Sequence, residues 1–172
     1  MPVFETPRLI VRSLSHHDLP ALTAILSDPQ VMQYSIRGVC DEQATAQFID
    51  WCLGCYASHG MGPWALEDKA STELVGFCGV APETVAGVEE AGLGYRLATR
   101  YWNRGLASEA ARGVIDHVFA AGQVESLVAI IEPAHGASQR VAEKVGFSEF
   151  EALEFHARPV RLYRLQRQAW SR

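Results

Sequence analysis

Residues 94–110, GYRLATRYWNRGLASEA, join a predicted strand to a predicted helix through a turn that contains one glycine. The helix over 106–121 is predicted because apolar residues recur at a spacing of three and four. Asn103, Arg104 and Gly105 stand where serine, threonine or aspartate commonly caps a helix. An uncapped helix start offers free backbone N–H groups and the positive end of the helix dipole, and phosphates bind there readily. The turn therefore indicates either a simple strand-to-helix connection or a site for an anionic ligand.

Small residues around the turn favour the anion site. Gly105 removes the side chain where the backbone must approach a ligand, Ala107 keeps the next turn low, and Ser108 adds a hydroxyl. Two other phosphate motifs are missing: there is no G-x-x-x-x-G-K-S/T, and GLGYRL lacks the third glycine of a dinucleotide fingerprint. A nucleotide triphosphatase and a Rossmann dehydrogenase are therefore disfavoured.

The rest of the chain predicts one α/β domain that spans residues 1–172, because this length supports one core but not two. The first predicted helix is capped by Ser15 and ends near Ser27, and residues 82–90 are expected to connect two strands. The predicted strands cover 8–14, 63–68, 73–81, 91–97, 126–131, 148–155 and 160–168, and the other helices cover 41–60, 106–121 and 136–145.

Composition excludes several classes of function. The net charge of -5 disfavours a general nucleic-acid surface, while four arginines within residues 96–112 suit a small anionic ligand. No apolar run is long enough to cross a membrane, and the N-terminal residues lack a signal-peptide core, so we expect a cytoplasmic protein. Cys52 and Cys55 form a C-x-x-C, but no second pair accompanies them, so we expect buried or half-buried thiols and no metal.

The decisive stretch resembles the acetyl-CoA-binding motif of the GNAT N-acetyltransferases, whose loop reads Q/R-x-x-G-x-G/A. Residues 102–107 align with that loop, and Trp102 departs at the first position in the manner of the branch that resembles the RimJ/RimL ribosomal-protein acetyltransferases. Three further landmarks agree with this branch in the right order: TPRLIVRSL at 6–14, SDPQVMQY at 27–34 and PAHGASQRVAEKVGF at 133–147. The resemblance covers essentially the whole chain.

The resemblance implies an α+β GNAT fold, with a mixed, mostly antiparallel sheet that splays at the cofactor site and helices on both faces. It implies acetyl-CoA as co-substrate, with pantetheine along the strand before the loop and the diphosphate over the loop. Trp102 is expected to pack in the core. The implied cofactor-binding residues are Tyr95, Leu97, Ala98, Thr99, Asn103, Arg104, Gly105, Leu106, Ala107, Ser108, His135 and Ser138.

The catalytic residues follow less directly from the resemblance. Ser138 matches the serine expected near the leaving thiolate, although its hydroxyl could equally stabilise the first turn of a helix. His135 replaces an asparagine and would hold the cofactor arm, transfer a proton or cap the helix. Gly92 stands where members often carry a glutamate base, so Glu90 is the substitute, or else an exposed hairpin carboxylate. The oxyanion is expected near the N–H of Leu97.

These expectations combine into one leading function and one alternative. The leading function is transfer of an acetyl group from acetyl-CoA to a primary amine, on a protein N-terminus or a small molecule. The alternative is a non-catalytic module of the same fold that binds or senses acyl-CoA. Residues 31–45 and the last two strands are expected to build the acceptor pocket. Nucleic acid and membrane are not expected partners, and the resemblance also allows a homodimer.

Overall fold

The computed structural model describes residues 2–170. The strands are β1 (Pro2–Glu5), β2 (Leu9–Arg12), β3 (Pro63–Asp68), β4 (Leu74–Val85), β5 (Val88–Leu97), β6 (Ser126–Ile131), β7 (Phe150–Phe155) and β8 (Arg158–Gln166). The helices are α1 (Leu19–Leu26), α2 (Glu42–His59), α3 (Leu106–Ala120) and α4 (Gly136–Lys144), with short 3₁₀ turns at His16–Asp18, Thr99–Tyr101 and Arg167–Ala169. Each predicted strand and helix is present.

Local sequence signals fix the helix ends. Asp41 accepts a hydrogen bond from the backbone N–H of Ala44 at the start of α2, and Gly60 ends that helix in the left-handed region with φ +70°. Gly146 (φ +116°) and Phe147 close α4 with a Schellman pair of hydrogen bonds. Capping residues in the sequence therefore mark both ends of α2 and the C-terminal end of α4.

Two strand predictions are corrected by the structure. Residues 2–5 form an additional edge strand, β1, that pairs with β2. The expected connection at residues 82–90 is wrong, because β4 continues to Val85 and β5 begins at Val88. Ala86 and Gly87 both have positive φ, as a two-residue type I′ hairpin turn requires. The sequence of this segment is typical of a loop because the ends of both strands extend beyond the core and therefore carry mostly exposed or half-exposed residues, several of them charged.

The eight strands form one mixed sheet in the order β1-β2-β3-β4-β5-β6-β8-β7. Every neighbouring pair is antiparallel except β5 and β6, which run parallel. β4 and β5 are paired from one end to the other, whereas β5 and β6 meet only at Gly92 and Val128. The sheet therefore splays into a cleft after Gly92, as expected for this fold.

Helices lie on both faces of the sheet. On one face, Phe48 of α2 packs against Phe77 of β4 with ring centroids 5.0 Å apart. On the opposite face, the hydroxyl of Tyr95 on β5 hydrogen-bonds to Ser138 of α4. The cleft lies between these two layers, so residues from both faces can reach it.

The four cysteines are free and buried, as predicted. Burial raises the pKa of the Cys52 thiol to about 12. Within residues 2–170, no three or more His, Cys, Asp and Glu side chains gather where a metal ion could be held. Over the same residues, no helix has both the length and the apolar character needed to cross a bilayer.

Candidate active site

The start of α3 carries no side-chain cap. Gly105 is the N-cap residue, with φ +76°, and Asn103 also lies in the left-handed region with φ +62°. The first helical hydrogen bond runs from the N–H of Glu109 to the carbonyl of Gly105. The N–H groups of residues 106–108 therefore have no acceptor inside the helix. Left-handed residues followed by a helical one are typical of backbone concavities that bind anions.

Arg8 supplies a cation beside this turn, which the sequence reasoning missed. Its Nε lies 2.8 Å from Oε1 of Glu109, and its Nη1 donates to the carbonyl of Arg104 at 2.8 Å. Its Nη2 lies 3.5 Å from the position a Cβ at Gly105 would occupy. Because 96 residues separate Arg8 from Arg104, only the packing of the β1–β2 turn against α3 reveals this contact.

Trp102 does not pack in the core, so that expectation is wrong. Its side chain is 42% exposed, and its indole Nε1 donates to the carbonyl of Leu97 at 2.9 Å. Arg104 lies over the ring of the neighbouring Tyr101, with its guanidinium carbon 5.5 Å from the centroid. The turn is therefore held by a buried tyrosine and by an indole bonded to the strand, while the tryptophan ring faces solvent.

The edge of β5 offers backbone groups to the cleft. Ala98 donates its N–H to Val75 on β4, and backbone groups alternate sides along a strand, so those of Tyr95 and Leu97 face β6. The carbonyl of Tyr95 accepts a hydrogen bond from Nη1 of Arg96 at 2.8 Å. Each of these carbonyls keeps a second lone pair. The cleft wall is therefore a row of polar backbone groups that an extended amide chain could pair with.

Tyr95 and Ser138 meet across the cleft. The phenol oxygen lies 2.9 Å from Oγ of Ser138 and 3.2 Å from the Ser138 carbonyl oxygen. Burial, opposed by the hydrogen bond to Ser138, raises the pKa of Tyr95 to about 12. Both hydroxyls are therefore protonated at neutral pH and form one hydrogen-bonded unit. The family resemblance implied that each residue binds the cofactor, but it did not imply a hydrogen bond between the two.

His135 stacks on Tyr34 and makes no side-chain cap at α4, so its cap interpretation is wrong. The two rings are 4.3 Å apart at 18°, and Tyr34 donates its hydroxyl to the carbonyl of Ala134 at 3.3 Å. Burial, together with the nearby charge of Arg96, lowers the pKa of His135 to about 4. The imidazole is therefore neutral at physiological pH and acts there as a stacking and hydrogen-bonding group.

A pocket opens beside the cleft on the face that carries α2. Its floor is made of small residues at facing positions of β4 and β5, where Gly79 pairs with Gly94 and Ala81 pairs with Gly92. A Cβ at Gly94 would meet no atom within 4 Å, so the floor is open there. The side walls are formed by Tyr34, Ile36, Phe48, Trp51, Phe77, Phe155 and Val160. Parts of 31–45 and of the last two strands thus meet at one pocket.

Charged residues occupy the rim of the pocket. Glu83, Arg96, Glu132 and Arg158 all line it. Glu132 is paired with Arg158 at 2.8 Å, whereas Arg96 is deeply placed and hydrogen-bonds only to the Tyr95 carbonyl among the described residues. Desolvation lowers the pKa of Arg96. Neither Glu83 nor Arg96 could be assigned to a pocket from the sequence, because no motif marks either position.

Glu90 is held away from this pocket. Its two carboxylate oxygens accept hydrogen bonds from Arg164 at 2.9 and 2.7 Å, and it is absent from the pocket lining. Those hydrogen bonds, outweighing desolvation, lower the pKa of the Glu90 carboxyl. A carboxylate with a lowered pKa and a bidentate cation is a weak proton acceptor. The geometry therefore argues against Glu90 as the base that the sequence suggested.

Comparison with known proteins gives a family for this arrangement. A family model described as Acetyltransferase (GNAT) domain matches residues 8–148. The uncharacterized protein YkkB of Bacillus subtilis is 33% identical over 159 residues, which cover 92% of each chain. The residues matched by the family model include the uncapped turn, the cleft and most of the pocket.

Solved structures of similar shape support the fold. An acetyltransferase from Agrobacterium tumefaciens superposes with a TM-score of 0.82 at 25% identity, covering 96% of this chain and 95% of that one. RimL, a ribosomal L7/L12 alpha-N-protein acetyltransferase solved with coenzyme A, superposes with a TM-score of 0.81 at 18% identity over 98% and 99% of the chains. The splayed sheet and its helices are thus an arrangement shared with acetyltransferase structures.

Proposed function

Because this chain belongs to the GNAT acetyltransferase family, we propose that it transfers the acetyl group of acetyl-CoA to a primary amine by direct attack in a ternary complex. The observation that carries the proposal is the uncapped start of α3, where Gly105 and Asn103 are left-handed and Arg8 stands beside the free N–H groups. A diphosphate is the part of acetyl-CoA that fits a helix N-terminus with an adjacent cation.

The cleft suits the remaining length of the donor. Pantetheine contains two amide groups, and the backbone of Tyr95 and Leu97 presents donors and acceptors along the cleft edge. In this proposal the thioester lies near the Tyr95–Ser138 pair, and a cleft-facing N–H of β5, at Tyr95 or Leu97, receives the developing oxyanion. His135, neutral and stacked on Tyr34, holds the cofactor arm by hydrogen bonding.

The chemistry needs a neutral amine and a protonated leaving group. The amine nitrogen forms a bond to the acetyl carbon, the carbon–sulfur bond breaks, and the thiolate takes a proton. A thiol with a pKa of about 8.5 is a fair leaving group, so the acid has a light task. We propose that the Ser138 hydroxyl, hydrogen-bonded to Tyr95, gives the thiolate that proton and regains one that the attacking nitrogen releases.

The acceptor is proposed to be a primary amine with an apolar neighbouring group. The pocket walls carry Tyr34, Phe48, Trp51 and Phe77, which would bury an apolar side chain next to the reacting nitrogen. RimL, which has a similar fold, is a ribosomal L7/L12 alpha-N-protein acetyltransferase. Both a protein N-terminus and a small amine therefore belong in the test.

A non-catalytic acyl-CoA-binding module is the second candidate, and one observation favours it. Gly92 stands on β5 where members often carry a glutamate, and the nearby Glu90 is engaged by Arg164. On this alternative, acetyl-CoA would bind and raise thermal stability without turnover.

Two measurements separate the candidates. The first is the melting temperature with and without acetyl-CoA, and the second is thiol release from acetyl-CoA in the presence of short peptides with free α-amines, a polyamine and an aminoglycoside. The proposal predicts stabilisation together with amine-dependent thiol release. Stabilisation without release across the panel would favour the binding module, and no stabilisation would refute both functions.

A further inference from the structure

Glu83 is the pocket carboxylate that has no cation partner. Of the two glutamates that line the pocket, Glu132 is paired with Arg158, whereas no ion pair or hydrogen bond among residues 2–170 involves the Glu83 side chain. The neighbouring carboxylate on β5, Glu90, is engaged by Arg164. The oxygens of Glu83 therefore remain available to a ligand in the pocket.

The side chain of Glu83 fills the space above Gly92. A Cβ built on Gly92 would lie 3.3 Å from the Cβ of Glu83 and 3.8 Å from its Cγ. Glu83 pairs with Glu90 across the hairpin, so Gly92 is its diagonal neighbour on the same face of the sheet. β4 thus places a carboxylate in the region that a side chain at position 92 of β5 would otherwise enter.

This region lies where the cleft begins. Gly92 is the residue at which β5 still pairs with β6, through Val128, and the two strands separate beyond it. Residues 93–97, which face the splayed part of the sheet, follow immediately along β5. A carboxylate above Gly92 therefore stands at the junction of the cleft and the open pocket floor at Gly94.

The surroundings of Glu83 strengthen it as a proton acceptor. Desolvation raises the pKa of its carboxyl, and the opposing influence comes from His156 on the β7–β8 turn. The other charged groups of the pocket face are already paired, as Glu132 with Arg158 and Glu90 with Arg164, apart from Arg96 at the far end of the floor. A half-buried carboxylate without a cation holds a proton more tightly than an exposed one.

We propose that Glu83 is the general base of the acetyl transfer, taking the proton from the attacking amine directly or through one water. This proposal rests on the acetyltransferase function proposed above. The protonated amine first gives one proton to the Glu83 carboxylate. The neutral nitrogen then bonds to the acetyl carbon as the carbon–sulfur bond breaks, and the second proton that the nitrogen loses replaces the one that Ser138 gives to the thiolate. Glu83 then returns its proton to solvent. The base therefore sits on β4 and projects over a glycine of β5.

The test compares Glu83→Gln with Glu89→Gln, an exposed glutamate of the same hairpin that serves as the matched control. The acceptor is the panel amine with the highest rate. At pH 7 we expect Glu83→Gln to lower kcat/KM for that amine by about a hundredfold or more, since general bases typically contribute at least this factor. We expect Glu89→Gln and the acetyl-CoA affinity of both variants to stay within about twofold of the original protein.

A pH profile and a rescue variant separate catalysis from packing. The loss in Glu83→Gln should shrink as the pH approaches the pKa of the acceptor amine, because a neutral amine no longer needs the base. The double variant Glu83→Ala/Gly92→Glu returns the carboxylate from β5, and we expect at least tenfold more activity than in Glu83→Ala. Full activity of Glu83→Gln, or a loss that is the same at every pH, would overturn the base while the transferase function stands. Thiol release by none of the proteins, the original included, would overturn both.

Discussion

Replacing Gly105 with glutamate should remove acetyl-CoA binding and leave the fold intact. Position 105 has φ +76°, so any side chain there pays left-handed strain of about 1–2 kcal/mol. A Cβ would find Nη2 of Arg8 at 3.5 Å, an ordinary contact, so no steric clash adds to that cost. Gly105→Ala carries the same strain without a charge and is therefore the matched control.

The two variants differ in what they do to a bound diphosphate. Hydrogen bonds to charged groups contribute about 1.5–3 kcal/mol each, and the N–H groups of residues 106–108 are available for them. A carboxylate at 105 repels the ligand and competes for Arg8. Loss of two such bonds amounts to at least about 3 kcal/mol, which raises Kd roughly a hundredfold.

Calorimetric titration with acetyl-CoA and urea unfolding measure the two effects separately. We expect Gly105→Ala to bind within about threefold of the original protein, and both variants to lose similar unfolding free energy. If Gly105→Glu binds acetyl-CoA as tightly as Gly105→Ala, the diphosphate does not lie at the start of α3, and the reasoning from the uncapped helix is refuted.

Three further predictions concern the cleft, the stability and the thiols. Ser138→Ala and Tyr95→Phe should each lower kcat about tenfold, and the double variant little further, because one hydrogen bond joins them; multiplied losses in steady-state assays would show separate roles. Asp18→Asn should lower the free energy of unfolding by about 1–2 kcal/mol at pH 7, because it removes the ion pair with Arg12 and the capping box. The pKa of Asp18 is lowered in the folded protein, so its contribution to stability is present above the ordinary pKa of 3.8 and is lost as the pH falls below that value. If urea unfolding gives the same free-energy difference between Asp18→Asn and the original protein at pH 7 and at pH 3, this origin is contradicted. The four buried thiols should react with a thiol reagent only after unfolding, and rapid labelling of the folded protein would contradict their burial.

Much of the fold could be predicted because its signals are local. Asp41, Gly60 and Gly146 mark helix ends through hydrogen bonds and dihedral angles that involve only near neighbours in sequence. The hairpin at Ala86 and Gly87 was missed because alanine rarely adopts positive φ, and because exposed glutamates on both strands hide the alternation. The expectation that Trp102 packs in the core was wrong because the position of its side chain is set by a hydrogen bond to the Leu97 carbonyl, which depends on the backbone conformation of residues 98–102.

The candidate site also has a part that could be predicted from sequence and a part that could not. The uncapped helix start at Asn103–Gly105, which we propose to hold the diphosphate, could be predicted from sequence because it is built from consecutive residues. Some segments that line the pocket could be predicted as well, but its charged residues could not, because they come from separate strands. Glu83 and Glu90 are both glutamates of one hairpin, and the structure distinguishes them because Glu90 is paired with Arg164 whereas Glu83 lines the pocket.

The sequence by itself determined the family, the order of all strands and helices after β1, and the turn proposed to hold the donor. These properties follow from periodicity and from short motifs in which every participant lies within a few residues of the others. The tertiary structure decided which carboxylate faces the pocket, that Arg8 stands beside Gly105, and that Tyr95 and Ser138 share a hydrogen bond. Each of these depends on strand register and on the packing of segments that are distant in sequence. A hydrogen bond or an ion pair forms only where that packing brings the two partner atoms within about 3 Å of each other.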